Sequence, residues 1–374
     1  MIIDEDYSKS IKDQILSLNQ RKQPSLISIG VIPSTHNDII VALDSNGILN
    51  AYNITNESLS NGNNDTYLEA IQSNNNNYIY PNASFYFNDS NYLQGIFTSM
   101  EIENNTVYIT GNFQTISLSS KEILEGVQNK NNSKIPLIPI NCTSLTQYED
   151  FNVNERRMIG CDIKDNHLLS YSDEGRLFLF DINSKKPISS THINGYKMNT
   201  AKIDEKDNSI VHGGHSSNIY FNDLRSFQLS SVYSIESNIH RTGIKQYTQS
   251  NEYTVNSILL SEYYYLISCN NFFTKYSNTI KASTNVYLSN SPINTIYKDN
   301  DNVLTGGISK NIIKYPITLS SSHIKKLRSD VNNITSIKKC YLFNDEYYIA
   351  GGSGNIMNIF ATKNNEESVL KLIF

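Results

Sequence analysis

The stretch Leu168–Asp181 reads LLSYSDEGRLFLFD. Two short apolar runs flank a turn of small and acidic residues that closes at Gly175, which is the pattern of a β-hairpin. A single hairpin has too little apolar surface to form a core, so its meaning depends on whether the chain repeats it. Ile39–Asn53 (IIVALDSNGILNAYN) and Ile210–Asp223 (IVHGGHSSNIYFND) repeat the pattern, and weaker copies follow. The hairpin is therefore one copy of a repeated unit.

A second signal precedes each hairpin. It is a tetrad made of a hydrophobic residue, any residue, then Ser, Thr or Gly, and finally a small or hydrophobic residue. Its copies begin at Leu26, Phe97, Met158, Met198, Val255, Ile293 and Ile334. The spacing is about 40 residues, lengthened in places by insertions, and a fourth apolar run closes most units. Seven units of this kind predict an all-β, seven-bladed β-propeller with four-stranded antiparallel blades.

The first 24 residues stand apart from the repeat. Ile11, Ile15 and Leu18 follow acidic residues at helical spacing, which predicts a short N-terminal helix. The predicted organisation is thus a helical extension at residues 1–24 and a propeller at residues 25–374. The polar stretches at residues 56–77 and 125–134 are predicted to be surface loops.

Ring closure can be considered from the last unit. It carries its own fourth apolar run at residues 369–374. The ring therefore closes without help from the N-terminus, or residues 1–6 add a further edge strand.

Composition narrows the functional classes. Charged residues make up 18% of the chain and the net charge is −5, so we expect no direct nucleic-acid binding. No apolar run approaches the ~18 residues of a membrane span. The cysteines Cys142, Cys161, Cys269 and Cys340 are widely spaced and form no CxxC pair, which favours free thiols in a reducing compartment. The expected location is cytoplasmic, nuclear or both.

The units resemble divergent WD repeats over residues 25–374. The closest matches to the end of that motif are Leu179–Asp181 and Phe221–Arg225, and Gly213–Gly214 and Gly306–Gly307 are similar to its interior. No unit has the Gly-His or Trp-Asp pair of the family, and the chain contains no Trp. The resemblance implies a WD-repeat-like propeller without assigning a subfamily.

No cofactor or metal site is predicted. His212 and His215 lie three residues apart, but no Cys or acidic residue is placed by the sequence to complete a zinc site. The acidic clusters at residues 204–207 and 299–301 are predicted to be solvated turns, because Asp and Asn are common turn residues.

Two alternative functions stay open. His240-Arg-Thr-Gly-Ile resembles a His-x-x-Gly-Val segment of the WD-type diphthine methylesterases, and this resemblance makes His240 a catalytic candidate for a propeller hydrolase. The basic residues around Lys325 suggest a phosphoinositide-binding propeller, although the Phe-Arg-Arg-Gly motif of such proteins is missing. Common catalytic signatures such as G-x-S-x-G and the P-loop are also missing.

The sequence favours a non-enzymatic scaffold that mediates protein–protein interactions as a subunit of a multiprotein complex. A propeller suits this role because it presents two faces and a rim of loops on a stiff framework. The expected partners are other protein subunits, bound through the N-terminal helix or the propeller faces. The candidate interaction residues are Ile11, Ile15, Leu18, Tyr263, Tyr264, Phe272, Lys325, Lys326 and Arg328.

Overall fold

The computed structural model describes residues 25–55, 78–87, 97–111, 114–128, 137–140, 142–147, 158–193, 196–235, 253–289, 291–317, 324–362 and 367–373. These residues are almost entirely β-strand and tight turn. The predicted N-terminal helix at residues 1–24 and the polar insertion at residues 56–77 lie outside the described residues.

The strands follow the predicted rhythm. In chain order they are β1 (Leu26–Ile32), β2 (Ile39–Asp44), β3 (Leu49–Asn53), β4 (Tyr78–Ile79), β5 (Ala83–Phe87), β6 (Phe97–Glu103), β7 (Thr106–Gly111), β8 (Gln114–Ser119), β9 (Leu137–Ile140), β10 (Thr143–Gln147), β11 (Met158–Lys164), β12 (His167–Ser172), β13 (Arg176–Asp181), β14 (Lys186–His192) and β15 (Met198–Asp204). They continue as β16 (Ser209–Gly214), β17 (Asn218–Asp223), β18 (Leu229–Ser234), β19 (Val255–Leu260), β20 (Tyr264–Cys269), β21 (Phe272–Ser277), β22 (Ala282–Leu288), β23 (Ile293–Asp299), β24 (Asn302–Gly307), β25 (Asn311–Pro316), β26 (Lys325–Arg328), β27 (Ile334–Leu342), β28 (Asp345–Gly352), β29 (Ile356–Ala361) and β30 (Leu370–Ile373).

Seven sheets are formed, and each is one blade. Every blade has a core of four antiparallel strands in sequence order, from an inner strand at the axis to an outer strand at the rim. The inner strands β1, β6, β11, β15, β19, β23 and β27 each contact the next, and β27 contacts β1, so the ring is closed. The predicted seven-bladed, four-stranded antiparallel architecture is confirmed.

The hydrophobic core lies between neighbouring blades. Leu169 and Leu179 of blade 3 pack with Met198 and Ile210 of blade 4, and all four side chains are fully buried. Burial of each such side chain contributes about 1.5–3 kcal/mol, so contacts between blades supply most of the stabilisation that one hairpin lacks.

The hairpin of Leu168–Asp181 is the β12–β13 pair of blade 3. Gly175 adopts a φ of +83° at its turn. A Cβ atom there would stand 2.7 Å from the carbonyl oxygens of both Ile193 and Tyr196. Glycine is required because both the backbone conformation and the close approach of the next connection exclude a side chain.

Blades 1 and 7 each receive a fifth strand at the rim. β9 pairs in parallel with β5 of blade 1, and β4 pairs in parallel with β30 of blade 7. The last blade therefore owns its fourth strand, as the sequence indicates. The extra edge described here comes from Tyr78–Ile79, while residues 1–6 lie outside the described residues.

Within the described ranges, the one helix is α1 (Ser120–Gln128). Residues 125–128 were predicted from their polarity to belong to a loop, and this prediction was wrong. Ile123 and Val127 are buried one helical turn apart and pack into the core of blades 1 and 2. Gly126 lies against the ring of Phe85, where a Cβ would be 2.7 Å from the ring atoms. A narrow apolar stripe is enough to hold a short helix when a neighbouring core covers it.

Candidate functional site

The described residues enclose a central channel. Its volume is about 520 Å³, and the inner strands of all seven blades line it. Most of the lining side chains carry hydroxyl, amide or charged groups, and Ile and Leu side chains form the rest of the lining. Sheet edges meeting at the axis of a propeller leave such a cavity because the strands splay outward from it.

All seven inner strands contain a β-bulge at one equivalent position. The pairing with the second strand slips between the first and third residues of each tetrad. The extra residues are Ile27, Thr98, Ile159, Asn199, Asn256, Asn294 and Thr335. A bulge re-aims side chains locally, and six of these seven residues line the channel. In the sequence, these bulge residues are the second residues of the tetrads, the position at which any residue is accepted.

Several of these bulge residues join one blade to the next. The Nδ2 atom of Asn199 donates to the carbonyl oxygen of Val255 at 3.0 Å. Asn256 Nδ2 donates to Ile293 O at 2.8 Å in the same manner. These bonds bridge blades 4 to 5 and 5 to 6 at the channel wall. These two amides therefore hold neighbouring blades of the ring together.

A network of four charges crosses the channel below the bulges. Lys202 Nζ lies 2.6 Å from Asp162 and 3.7 Å from Glu101, and Lys338 Nζ lies 3.6 Å from the second oxygen of Glu101. Each residue comes four positions after the start of its tetrad, on blades 2, 3, 4 and 7. Burial lowers the pKa of Lys202, but Asp162 and Glu101 outweigh burial and raise that pKa above its usual value. The two lysines balance the two carboxylates in formal charge, while burial raises the pKa of Asp162.

The acidic clusters predicted to be solvated turns contain a buried member, and that part of the prediction was wrong. Asp204 and Asp299 end the inner strands of blades 4 and 6 and are buried. Each accepts a hydrogen bond from a tyrosine of the following blade, Tyr265 and Tyr348 respectively. Each tyrosine lies on the second strand of the next blade, and its phenol reaches the carboxylate only when the two blades pack together. The pairing therefore has no short-range sequence signature.

Lys339 completes the contact at Asp299. Its Nζ lies 2.8 Å from Asp299 Oδ1 and 2.7 Å from Glu346. Burial raises the pKa of Asp299, but its hydrogen bonds from Lys339 and Tyr348 outweigh burial and lower the pKa below its usual value. The carboxylate is held ionised as a structural acceptor.

His212 is part of the core and does not form a site with His215. Its Nε2 atom and Asn222 Oδ1 are 2.9 Å apart, and its ring stacks on Tyr220 with centroids 5.3 Å apart. Burial lowers the pKa of His212 to about 4, so the ring is neutral near pH 7. Among the described residues, no group of three His, Cys, Asp or Glu side chains is arranged to hold a metal ion.

The predicted interaction residues fall in three kinds of place. Ile11, Ile15, Leu18 and the catalytic candidate His240 lie outside the described residues. Tyr263 is exposed beside Lys206, while the ring of Tyr264 has Lys275 Nζ at 4.3 Å and Lys298 Nζ at 5.2 Å from its centroid. Phe272 is fully buried against Tyr253, so its side chain belongs to the core between blades 4 and 5.

The basic candidates lie together at the rim. Lys325, Lys326 and Arg328 are exposed on β26, the outer strand of blade 6, and Leu327 between them is buried. The structure therefore brings these three together but places them far along the blade from the channel lining.

Comparison with known proteins identifies the fold. No family model matches the sequence, and no curated protein matches it significantly. The structure is similar to the WD40 β-propeller domain of Doa1, with a TM-score of 0.61, 9% identity, and coverage of 93% of this chain and 96% of that domain. It is also similar to the computationally designed Ika8 protein, with a TM-score of 0.56, 12% identity, and coverage of 91% and 97%. The predicted resemblance to WD-repeat propellers is confirmed as a likeness of fold.

Proposed function

We propose that the protein is a non-enzymatic scaffold, a rigid propeller that binds other proteins as a subunit of a multiprotein complex in the cytoplasm or nucleus. The observation that carries the proposal is a pair of large apolar side chains exposed on the outer strand of blade 4. Leu229 is 54% exposed and Val232 is 48% exposed. Exposed apolar residues on a rigid framework are typical anchors of protein interfaces.

The chemistry of three of the four described thiols supports a non-enzymatic role. Cys161, Cys269 and Cys340 are buried. Burial first, and then the nearby carboxylate of Glu101, raise the pKa of Cys161 to about 11. Burial also raises the pKa of Cys269 and of Cys340. A thiol reacts as the thiolate, so these three groups are suited to packing and not to nucleophilic attack.

The channel supports the same role by its stiffness. Its amides and four charges are engaged in contacts between blades, including Asn199 with Val255 and Lys202 with Asp162. A framework with these groups already paired holds its surface loops and outer strands in fixed positions. Preorganised surfaces bind with a smaller loss of conformational entropy.

The proposal is tested by affinity purification of the tagged protein from its native host. The wild type is compared with Leu229→Ser/Val232→Ser and with a matched control, Ile308→Ser, whose exposed apolar side chain lies on another blade. We expect stoichiometric subunits to co-purify with the wild type and the control and to be depleted for the double variant, with thermal unfolding unchanged. Absence of any stoichiometric subunit overturns the proposal. So does hydrolysis of a methyl ester by the purified protein that is lost in His240→Ala.

No helix in the described part of the chain is long and apolar enough to cross a membrane.

A further inference from the structure

We propose that the outer edge of blade 6 is a docking surface for an acidic, extended segment of a partner protein. This surface, the basic edge, consists of Lys325, Lys326 and Arg328 on β26. The inference rests on the proposed scaffold function and adds a location and a partner chemistry to it.

Within the described residues the basic edge is open except at Arg328, which forms one bridge with Glu367. β26 is the last strand of its sheet, and three of its four residues are exposed cations. None of the three forms an ion pair with a described carboxylate, whereas Lys371 nearby is 3.0 Å from Asp330. The edge therefore presents both backbone hydrogen-bonding groups and uncompensated positive charge.

The register of blade 6 places like charges directly opposite each other. Lys325 pairs with Lys314 across β25 and β26. Like charges at directly opposed positions destabilise a sheet. Burial lowers the pKa of Lys314, and the positive charges of Lys325 and Lys339 lower it further, whereas Asp299 acts in the opposite direction. An acidic side chain arriving at this edge would relieve the repulsion.

The described chain already contacts one end of this edge. Arg328 forms a single parallel bridge with Glu367. Blades 1 and 7 accept parallel additions at the equivalent rim position, of four paired residues from β9 and two from β4. A partner strand running parallel to β26 at Lys325–Leu327 would extend the same arrangement, with its carboxylates near the basic edge. Strand addition of this kind combines backbone hydrogen bonds with side-chain selection.

An extended peptide fits this surface better than an anionic membrane. The unpaired backbone groups of β26 can bond a strand, which a lipid headgroup does not supply. Lysines at an edge also discourage unwanted pairing with other sheets, which makes the edge selective for a segment of opposite charge.

The test uses the full chain and a short fluorescent peptide that alternates glutamate and valine, with glutamine replacing glutamate in a control peptide. The variant is Lys325→Glu/Lys326→Glu/Arg328→Glu. Its matched control, Lys121→Glu/Lys186→Glu/Arg225→Glu, changes the net charge equally at exposed sites elsewhere. We expect salt-sensitive binding of the acidic peptide by the wild type and the control. The glutamates lie on one face of the peptide strand, so they can pair with Lys326 and Arg328, which share a face of β26, but not also with Lys325. We expect the variant to lose about fivefold in affinity, as two exposed ion pairs together predict.

Hydrogen exchange at residues 325–327 supplies the second measurement. Slower exchange on addition of the peptide supports strand addition. Slow exchange of the outward-facing amides before addition shows that the edge is already covered in the free chain and overturns the proposal, as does equal peptide binding by both triple variants. Binding to phosphatidylcholine/phosphatidylserine vesicles that depends on the basic edge, without peptide binding, also overturns it. If the triple variant retains all native subunits, the basic edge fails while the scaffold stands; if the wild type has none, the scaffold itself fails.

Discussion

The phenolic hydroxyl of Tyr348 in blade 7 donates a hydrogen bond to the buried carboxylate of Asp299 in blade 6. Tyr265 and Asp204 make the same contact between blades 5 and 4. Two of the seven junctions are thus joined by a tyrosine and an aspartate near the ends of the inner strands. This pairing fastens neighbouring blades in a chain that contains no Trp.

Removing the phenol should weaken this junction. Tyr348→Phe leaves Asp299 with one fewer donor and also removes the acceptor of Lys314 Nζ, which lies 3.2 Å from the hydroxyl. We expect a loss of about 1–3 kcal/mol in the free energy of unfolding, measured with urea. The control is Tyr341→Phe, whose exposed hydroxyl donates to Asn344 O at 3.0 Å. Similar losses in both variants would contradict the junction role.

The charge network of the channel gives a second prediction. Lys202→Met leaves Asp162 and Glu101 facing each other without their shared cation. We expect a loss of about 2 kcal/mol in unfolding free energy, below the value for a fully buried pair because Lys202 is 26% exposed. Adding Asp162→Asn should recover part of the loss, and a strictly additive double variant would refute the coupling.

Acid should destabilise the protein through His212. Its pKa falls from 6.5 to about 4 on folding, so the unfolded chain binds the proton more tightly. Stability from the neutral ring is therefore full above pH 6.5 and declines as the pH falls toward 4, by on the order of 3 kcal/mol. The free energy of unfolding, measured with urea at several pH values in this range, should depend less steeply on pH for His212→Phe than for the wild type. The control is His215→Gln at an exposed turn, which leaves the buried His212 in place.

The opposed lysines of blade 6 predict a stabilising substitution. Lys325→Glu converts the repulsion with Lys314 into attraction and should raise the free energy of unfolding by up to about 1 kcal/mol. Lys326→Glu is the matched comparison, because Lys326 faces Ile313 and relieves no such directly opposed pair. Equal gains for the two variants would show that only the net charge matters.

The sequence predicts the blades well because each unit has local signals. The tetrad starting at Val255 and the hairpin around Gly175 both report on contacts within one blade. Contacts between blades are different, since Tyr348 and Asp299 are 49 residues apart and nothing adjacent to either indicates the pairing. Helix α1 was missed for a similar reason: only burial of Ile123 and Val127 by blades 1 and 2 distinguishes it from a polar loop.

Backbone geometry explains part of the abundance of asparagine, which the sequence alone does not explain. Among the described residues, six of the eleven non-glycine residues with positive φ are Asn. Asn tolerates this left-handed conformation better than most residues, so part of the Asn content serves the tight turns between strands. The candidate interaction surface remains the least predictable feature, because Tyr263 is exposed whereas Phe272, from an equally aromatic stretch, is fully buried.

The pairing of Tyr78–Ile79 with Lys371–Leu372 determines when the rim of blade 7 can be completed during synthesis of the chain. β4 leaves the ribosome long before its partner strand β30 has been made. The hydroxyl of Tyr52 also lacks its acceptor until β30 is made, since it donates to Ile373 O at 3.0 Å. Contacts of such long sequence separation form slowly. We therefore expect the nascent chain to carry an incomplete junction between blades 1 and 7 until β30 has been made, and this interval is its period of greatest exposure to misassembly.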